Sequence, residues 1–222
     1  MLDLAAPAAR VGHGERWWRL AIALWAVAVV AGMALLWRYK LTPVAPNDPP
    51  SRWPADSTIE RDPERPTLLM LVHPKCPCSR ASLAELARLM GDTAGRAKAI
   101  ALFVRPEGVP SGWEQSDTWQ SASRIPGVVV RADDEEVEAH RFGATVSGYT
   151  LLYGVDGRLL YHGGITGARG HEGDNSGLRR IVSLIRDGHA DADRSPTFGC
   201  ELDDTGGALG RRADAEVVHT NH

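Results

Sequence analysis

The stretch Thr67–Leu86, "TLLMLVHPKCPCSRASLAEL", decides the architecture of this chain. Its first six residues form a continuous apolar run, the pattern of a strand buried on both faces of a sheet. From Ser82 to Met90 the pattern changes: Leu83, Leu86, Ala87 and Met90 fall on one helical face, and Ser82 with Glu85 fits a capping box. A strand therefore leads into a helix. At the junction two of the three cysteines, Cys76 and Cys78, stand on either side of Pro77.

Further along, Ala97–Val104 reads as a second buried strand ended by Pro106. Glu114–Arg124 is a weaker helical pattern, Gly127–Val130 a short apolar strand and Glu135–Phe142 a short helix. Tyr149–Val155 and Arg158–His162 flank Asp156-Gly157, a strong hairpin signal. Leu178, Ile181, Val182 and Ile185 form the apolar face of a last helix that ends near Gly188. This order predicts an α/β fold, a central mixed sheet flanked by helices.

The N-terminal region is different in kind. Leu20–Trp37 is an uncharged run of 18 residues, enough for one transmembrane helix, with Trp17, Trp18, Trp37 and Tyr39 at its ends. "WRYK" follows where a cleavage site would need small residues, so an uncleaved anchor is expected. Arg10, Arg16 and Arg19 precede the span, Arg38 and Lys40 follow it, and the slight excess favours a cytoplasmic N-terminus. The expected location is the cell inner membrane, single-pass, with the C-terminal domain facing the periplasm or exterior, where disulfides persist. Thr42–Pro66 holds seven prolines and reads as a spacer. The expected segments are 1–19 cytoplasmic, 20–37 transmembrane, 38–66 linker, 67–200 folded domain and 201–222 disordered tail. With 25 Lys+Arg, 28 Asp+Glu and no basic stripe interleaved with aromatics, nucleic acid is not an expected partner.

An apolar strand running into a cysteine motif at a helix start, with "FGATVSGYTLLYGVDGRLLYHGG" placed as a closing hairpin, resembles the thioredoxin-like fold. The stretches "HPKCPCSRASLAEL", "GGITGARGHEGDNSG" and "PTFGC" are similar to a bacterial group of membrane-anchored thioredoxin-like proteins, the RedB-like group. The resemblance implies a fold spanning roughly Thr67–Gly188. It also exposes departures. Thioredoxins separate their cysteines by two residues, which puts Cys76 at the first position and Ser79 at the second, with Cys78 as an extra thiol. Tyr149, preceded by Gly148, stands where the family has its cis-proline, and Lys75 replaces a tryptophan.

The chemistry follows from the side chains. A helix N-terminus or a nearby cation stabilises a thiolate, and Cys76 has Lys75 beside it and His73 close by. Cys76 is the expected nucleophile, although a helix beginning only at Ser82 would leave it more than a turn from the dipole. The loop Gly163–Gly177 should emerge beside it, carrying Arg169 to steady a thiolate and His171 to move a proton. Asp174 and Asn175 fit helix capping equally well. Cys200 can fold back to pair with Cys76 or Cys78 as a resolving thiol or remain an unpaired surface thiol, and Gly148 with Tyr149 is the expected wall opposite the thiols.

The leading expectation is a membrane-anchored thiol-disulfide oxidoreductase, an enzyme acting on exported protein thiols or disulfides through Cys76 and Cys78, with His171 as acid/base and no cofactor. One alternative is a copper- or zinc-binding metallochaperone using Cys76, Cys78 and His171 or His73. The other is a redox-inactive thioredoxin-like binding domain.

Overall fold

Continuous apolar runs become the middle of the sheet. In the computed structural model, which describes residues 13–44 and 48–202, β1 (Thr67–Val72) is buried along its whole length. It pairs in parallel with β2 (Lys98–Arg105) and antiparallel with β4 (Tyr149–Tyr153). The edges are β3 (Val128–Asp134), parallel to β2, and β5 (Leu159–Gly164), antiparallel to β4. The order is β3-β2-β1-β4-β5, the expected mixed sheet.

Because strand side chains alternate between faces, β1 feeds two cores. Leu68, Met70 and Val72 meet Leu83, Leu86 and Leu89 of helix α2 (Pro77–Thr93) and Ile181 of α5 (Ser176–Asp187). Trp119 of α3 (Asp117–Ser123) packs against the same cluster. Leu69 and Leu71 face the opposite way, toward Ile100, Leu102, Phe142, Tyr149 and Tyr153. Among the described helices, only the five-residue α4 (Val137–Arg141) contributes to this second core, through Ala139.

Part of the proline-rich stretch supplies the missing cover, which corrects its reading as a spacer. Ile59 is 4% exposed within the second core. The Trp53 ring lies edge-on to Phe142 at 4.9 Å and Tyr153 at 5.2 Å. The backbone of Trp53 donates to Gly157 at 2.8 Å, and the Glu138 carboxylate accepts from Ser57 and Thr58. Proline excludes this segment from a ladder interior but not from lying across a face.

Residues after α5 also fold back. His162 N–H donates to Asp193 O at 2.9 Å and Ser195 N–H to His162 O at 3.2 Å, so the returning chain lies beside β5. It then crosses to residues 145–147: Ser147 N–H donates to Cys200 O at 2.8 Å and Leu202 N–H to Thr145 O at 3.0 Å. Leu202 is 2% exposed, so the expected tail does not begin at Glu201; residues 203–222 lie outside the described residues, as do 1–12 of the N-terminal segment.

The N-terminal unit is the helix α1 (His13–Leu41). Its portion Arg16–Leu41 has 26 residues, about 39 Å at ~1.5 Å per residue, and is long and apolar enough to cross a membrane.

Candidate active site

The helix that carries the cysteines starts earlier than the apolar pattern suggests. Pro77 occupies its first turn, where a missing N–H costs nothing and φ is already helical, and Cys76 is the N-cap residue. The capping box expected at Ser82 and Glu85 is therefore absent. Ser82 hydroxyl points back to Cys78 O at 3.4 Å, inside the helix. Glu85, 1% exposed, accepts from Gly173 N–H at 2.7 Å and pairs with Arg88 at 3.1 Å, tying the glycine-rich loop to α2. The consequence is that Cys76 sits at the positive end of the helix dipole, which favours its thiolate.

Three sulfurs gather there. The Sγ atoms of Cys76, Cys78 and Cys200 all lie within 4.8 Å of one another, and Cys76 to Cys200 is 2.7 Å. All three are free cysteines. Cys76 is 4% exposed, while Cys78 and Cys200 are half-buried. Hydrogen bonding from the Cys200 thiol, then from the Cys78 thiol, holds the Cys76 sulfur well below the ordinary thiol range against the opposing effect of burial. Cys200 is pushed up by the same two neighbours and by burial. Cys78 is drawn down by Cys200, and also by the charge of Arg169, but Cys76 and burial outweigh them and leave it above the usual range. One sulfur is the preferred anion and the other two are its donors.

The surroundings explain why the second thioredoxin position is serine. Ser79, 1% exposed, donates to His73 O at 2.8 Å and shares a 2.9 Å bond with the Ser147 hydroxyl, which accepts from His73 N–H at 2.9 Å. This buried serine pair locks the helix start to the 145–148 turn. At the turn, Gly148 has φ +83, and a Cβ there would come within 2.6 Å of the Ser82 hydroxyl. The Thr118 hydroxyl donates to Pro74 O at 3.0 Å and fixes the approach to Cys76.

Several expected site residues are placed elsewhere. Lys75 is exposed and its ammonium sits 4.6 Å above the Trp113 ring, a cation-π contact that competes with any pairing to Cys76. His73, 4% exposed, lies edge-on to the same ring at 5.4 Å, and its Nδ1 accepts from Lys75 N–H at 3.2 Å. Tyr149 does not wall the thiols with its side chain. It is buried in the second core, on the far face of the sheet, and its phenol bonds His162 Nδ1 at 3.0 Å, so the wall is the backbone of 146–148. No cis peptide occurs among the described residues.

His171 is exposed on the glycine-rich loop and does not join the sulfur group. Cys200 takes the place that a histidine was expected to fill. Arg169 reaches the returning segment 193–202, a strap across the site, its guanidinium donating to Gly199 O directly before Cys200. Asn175 caps α5, accepting from Leu178 N–H at 2.8 Å, and Asp174 pairs with Arg179 on the surface.

Sequence reading missed Ser147, Gly199 and Trp113. Gly199 had a visible signal, a glycine immediately before a cysteine. A Cβ on it would stand 1.8 Å from Ser147 O, so only glycine lets the strap lie this close.

A sheet ordered β3-β2-β1-β4-β5, with a thiol capping the helix after the first strand and an antiparallel closing hairpin, defines the class. The fold is thioredoxin-like. No protein-family model and no curated protein matches the sequence. Among solved structures, a hypothetical protein from Sinorhizobium meliloti is similar over 76% of this chain and 99% of its own, at 19% identity and a TM-score of 0.55. An uncharacterized conserved protein from Geobacillus kaustophilus covers 76% and 95%, at 16% identity and 0.53. A secreted disulfide oxidoreductase of Mycobacterium tuberculosis, homologous to E. coli DsbE, aligns more loosely: 14% identity, 56% of this chain, 82% of that one, TM-score 0.40.

Proposed function

We propose that this thioredoxin-like protein is a membrane-anchored thiol-disulfide oxidoreductase in which Cys76 is the nucleophile and Cys200 the resolving thiol. The observation that carries the reading is the placement of Cys76 as N-cap of α2 with Cys200 Sγ at 2.7 Å. A helix-capping thiolate with a second, protonated thiol in contact has what exchange requires, an attacking anion and a partner to release the product.

The Cys76 thiolate attacks one sulfur of a substrate disulfide. A bond forms between the two sulfurs, the substrate S–S bond breaks, and the departing thiolate takes up a proton. Cys200 then loses its proton and attacks the Cys76 sulfur, expelling the second substrate thiol and leaving a Cys76–Cys200 disulfide. Two electrons have passed to the substrate, and an external dithiol returns them. Cys78 and Arg169 bias the equilibrium by donating to, or charging the surroundings of, the sulfur group. His171 takes no part in these steps.

The helix Arg16–Leu41 supports membrane attachment, and its aromatic, arginine-flanked ends support a span with the thiol domain in the periplasm. The quoted motifs support placement near the RedB-like group, with exported protein thiols or disulfides as partners. In detergent-solubilised full-length protein, dithiothreitol-driven reduction of a disulfide-bonded model peptide is expected to fall to the uncatalysed rate in Cys76→Ser. Unchanged turnover in that variant overturns the assignment.

A further inference from the structure

The geometry points to a second use of the same sulfurs: Cys76, Cys78 and Cys200 form a three-coordinate site for a soft monovalent metal ion, with Cu(I) as its best-matched occupant. This inference does not rest on the exchange activity, since it concerns the fully reduced chain alone.

Three observations carry it. First, the donor set is sulfur only. The ligand atoms within 4.8 Å of one another are the three Sγ atoms, and among the described residues no histidine or carboxylate joins them. Thiolates select Cu(I), Zn and iron–sulfur centres, and a closed structural zinc site takes four protein ligands, one more than this group supplies. Second, the ligands come from two supports held together before any metal arrives. Cys76 and Cys78 are fixed by the first turn of α2. Cys200 is fixed by the Ser147 to Cys200 and Leu202 to Thr145 backbone bonds on either side of it, and by Arg169 on Gly199 O. Third, the site is shielded on one side and open on the other, with Cys76 buried and Cys78 and Cys200 half-buried. That suits a metal that must enter and leave. A metal bridging Cys76 and Cys200 must spread them from their 2.7 Å contact, a movement the strap can make more easily than the helix.

Oxidation to a Cys76–Cys200 disulfide consumes two of the three ligands. Metal binding and the oxidised state therefore exclude one another.

The test uses full-length protein in detergent, reduced anaerobically and freed of reductant, titrated with Cu(I) against bicinchoninate. The expected result is one Cu(I) per chain and three sulfur neighbours by X-ray absorption. Cys200→Ser and, separately, Cys78→Ser should each leave two sulfur neighbours and weaken binding at least about tenfold, one order in the binding constant being ~1.4 kcal/mol. His171→Ala should bind as the parent does. Circular dichroism of each variant establishes that it is folded. Two sulfur neighbours in the parent, full affinity in folded Cys200→Ser, or loss of binding in His171→Ala overturns the site. Exchange activity measured on the same metal-free preparation separates the two readings: either can fail while the other stands.

Discussion

Cys76 and Cys200 meet at one point but are held in different ways. Cys76 sits between a fully buried strand and a helix whose first residue is proline, anchored by the buried Ser79–Ser147 pair and by Thr118. Cys200 sits on a strap of residues 193–202 held by backbone bonds to Val44, β5 and the 145–147 turn, by the Ser195 hydroxyl on Gly164 O, and by the guanidiniums of Arg169 and Arg180. Local unfolding is easiest where few apolar contacts are buried, so the strap, which buries Leu202 but exposes Asp193, Arg194 and Pro196, should open before the helix start does. A rigid nucleophile and a detachable partner suit different halves of a disulfide exchange. The first must be poised at all times, whereas the second must yield to a substrate and then return.

The most decisive way to break this comparison is to remove the strap thiol. Cys200→Ser should still form a mixed disulfide with substrate but not resolve it, so that mass spectrometry finds the adduct accumulating on Cys76. In Cys78→Ser resolution should continue. If the adduct accumulates in Cys78→Ser and not in Cys200→Ser, the roles of the two thiols are reversed.

A subtler change leaves every thiol in place. Gly199→Val forces a side chain into Ser147 O and should lift the strap, lowering the effective concentration of Cys200 at Cys76. Turnover is expected to fall about tenfold, with the rate of the first attack preserved. Equal loss in both steps would mean that the strap also shapes the nucleophile.

The pH dependence of Cys76 sharpens the electrostatic side. Its pKa is lowered, so the thiolate persists as pH falls below the ordinary thiol value and is lost only through the depressed one. Alkylation at Cys76 by iodoacetamide should change little between about pH 8 and pH 5, where an ordinary thiol loses about tenfold per unit below ~8.5. A tenfold fall per unit at Cys76 contradicts the stabilisation of its thiolate by the Cys200 and Cys78 thiols. The smallest effect is expected at Ser79. Ser79→Ala removes one hydrogen bond to His73 O, which keeps Cys76 N–H, and one with the Ser147 hydroxyl, which keeps His73 N–H, and should cost about 1–3 kcal/mol in denaturant unfolding, with the Cys76 alkylation profile unchanged.

Local pattern makes much of the frame legible. The run "TLLMLV" is strand β1 residue for residue, Asp156-Gly157 marks the β4–β5 turn, and the apolar face of 178–185 marks α5. Each depends on neighbours a few residues apart, which sequence displays directly. The helix start is not legible locally because Ser82 and Glu85 satisfy a local rule as well as Pro77 does, and what separates them is a distant backbone group, Gly173 N–H, which donates to the Glu85 carboxylate.

The sequence by itself therefore determined the strand and helix order, the apolar N-terminal helix and the presence of two thiols at a strand-to-helix junction, because periodicity and proline act locally. Only the tertiary structure decided which group completes the site. Cys200 lies 124 positions from Cys76, and the strap's bonds to Ser147 and Arg169, with the bare Gly199, bring the two together. The prolines of the linker likewise exclude a ladder without saying what the chain will cover. That was set by a face of the sheet which a five-residue helix leaves bare.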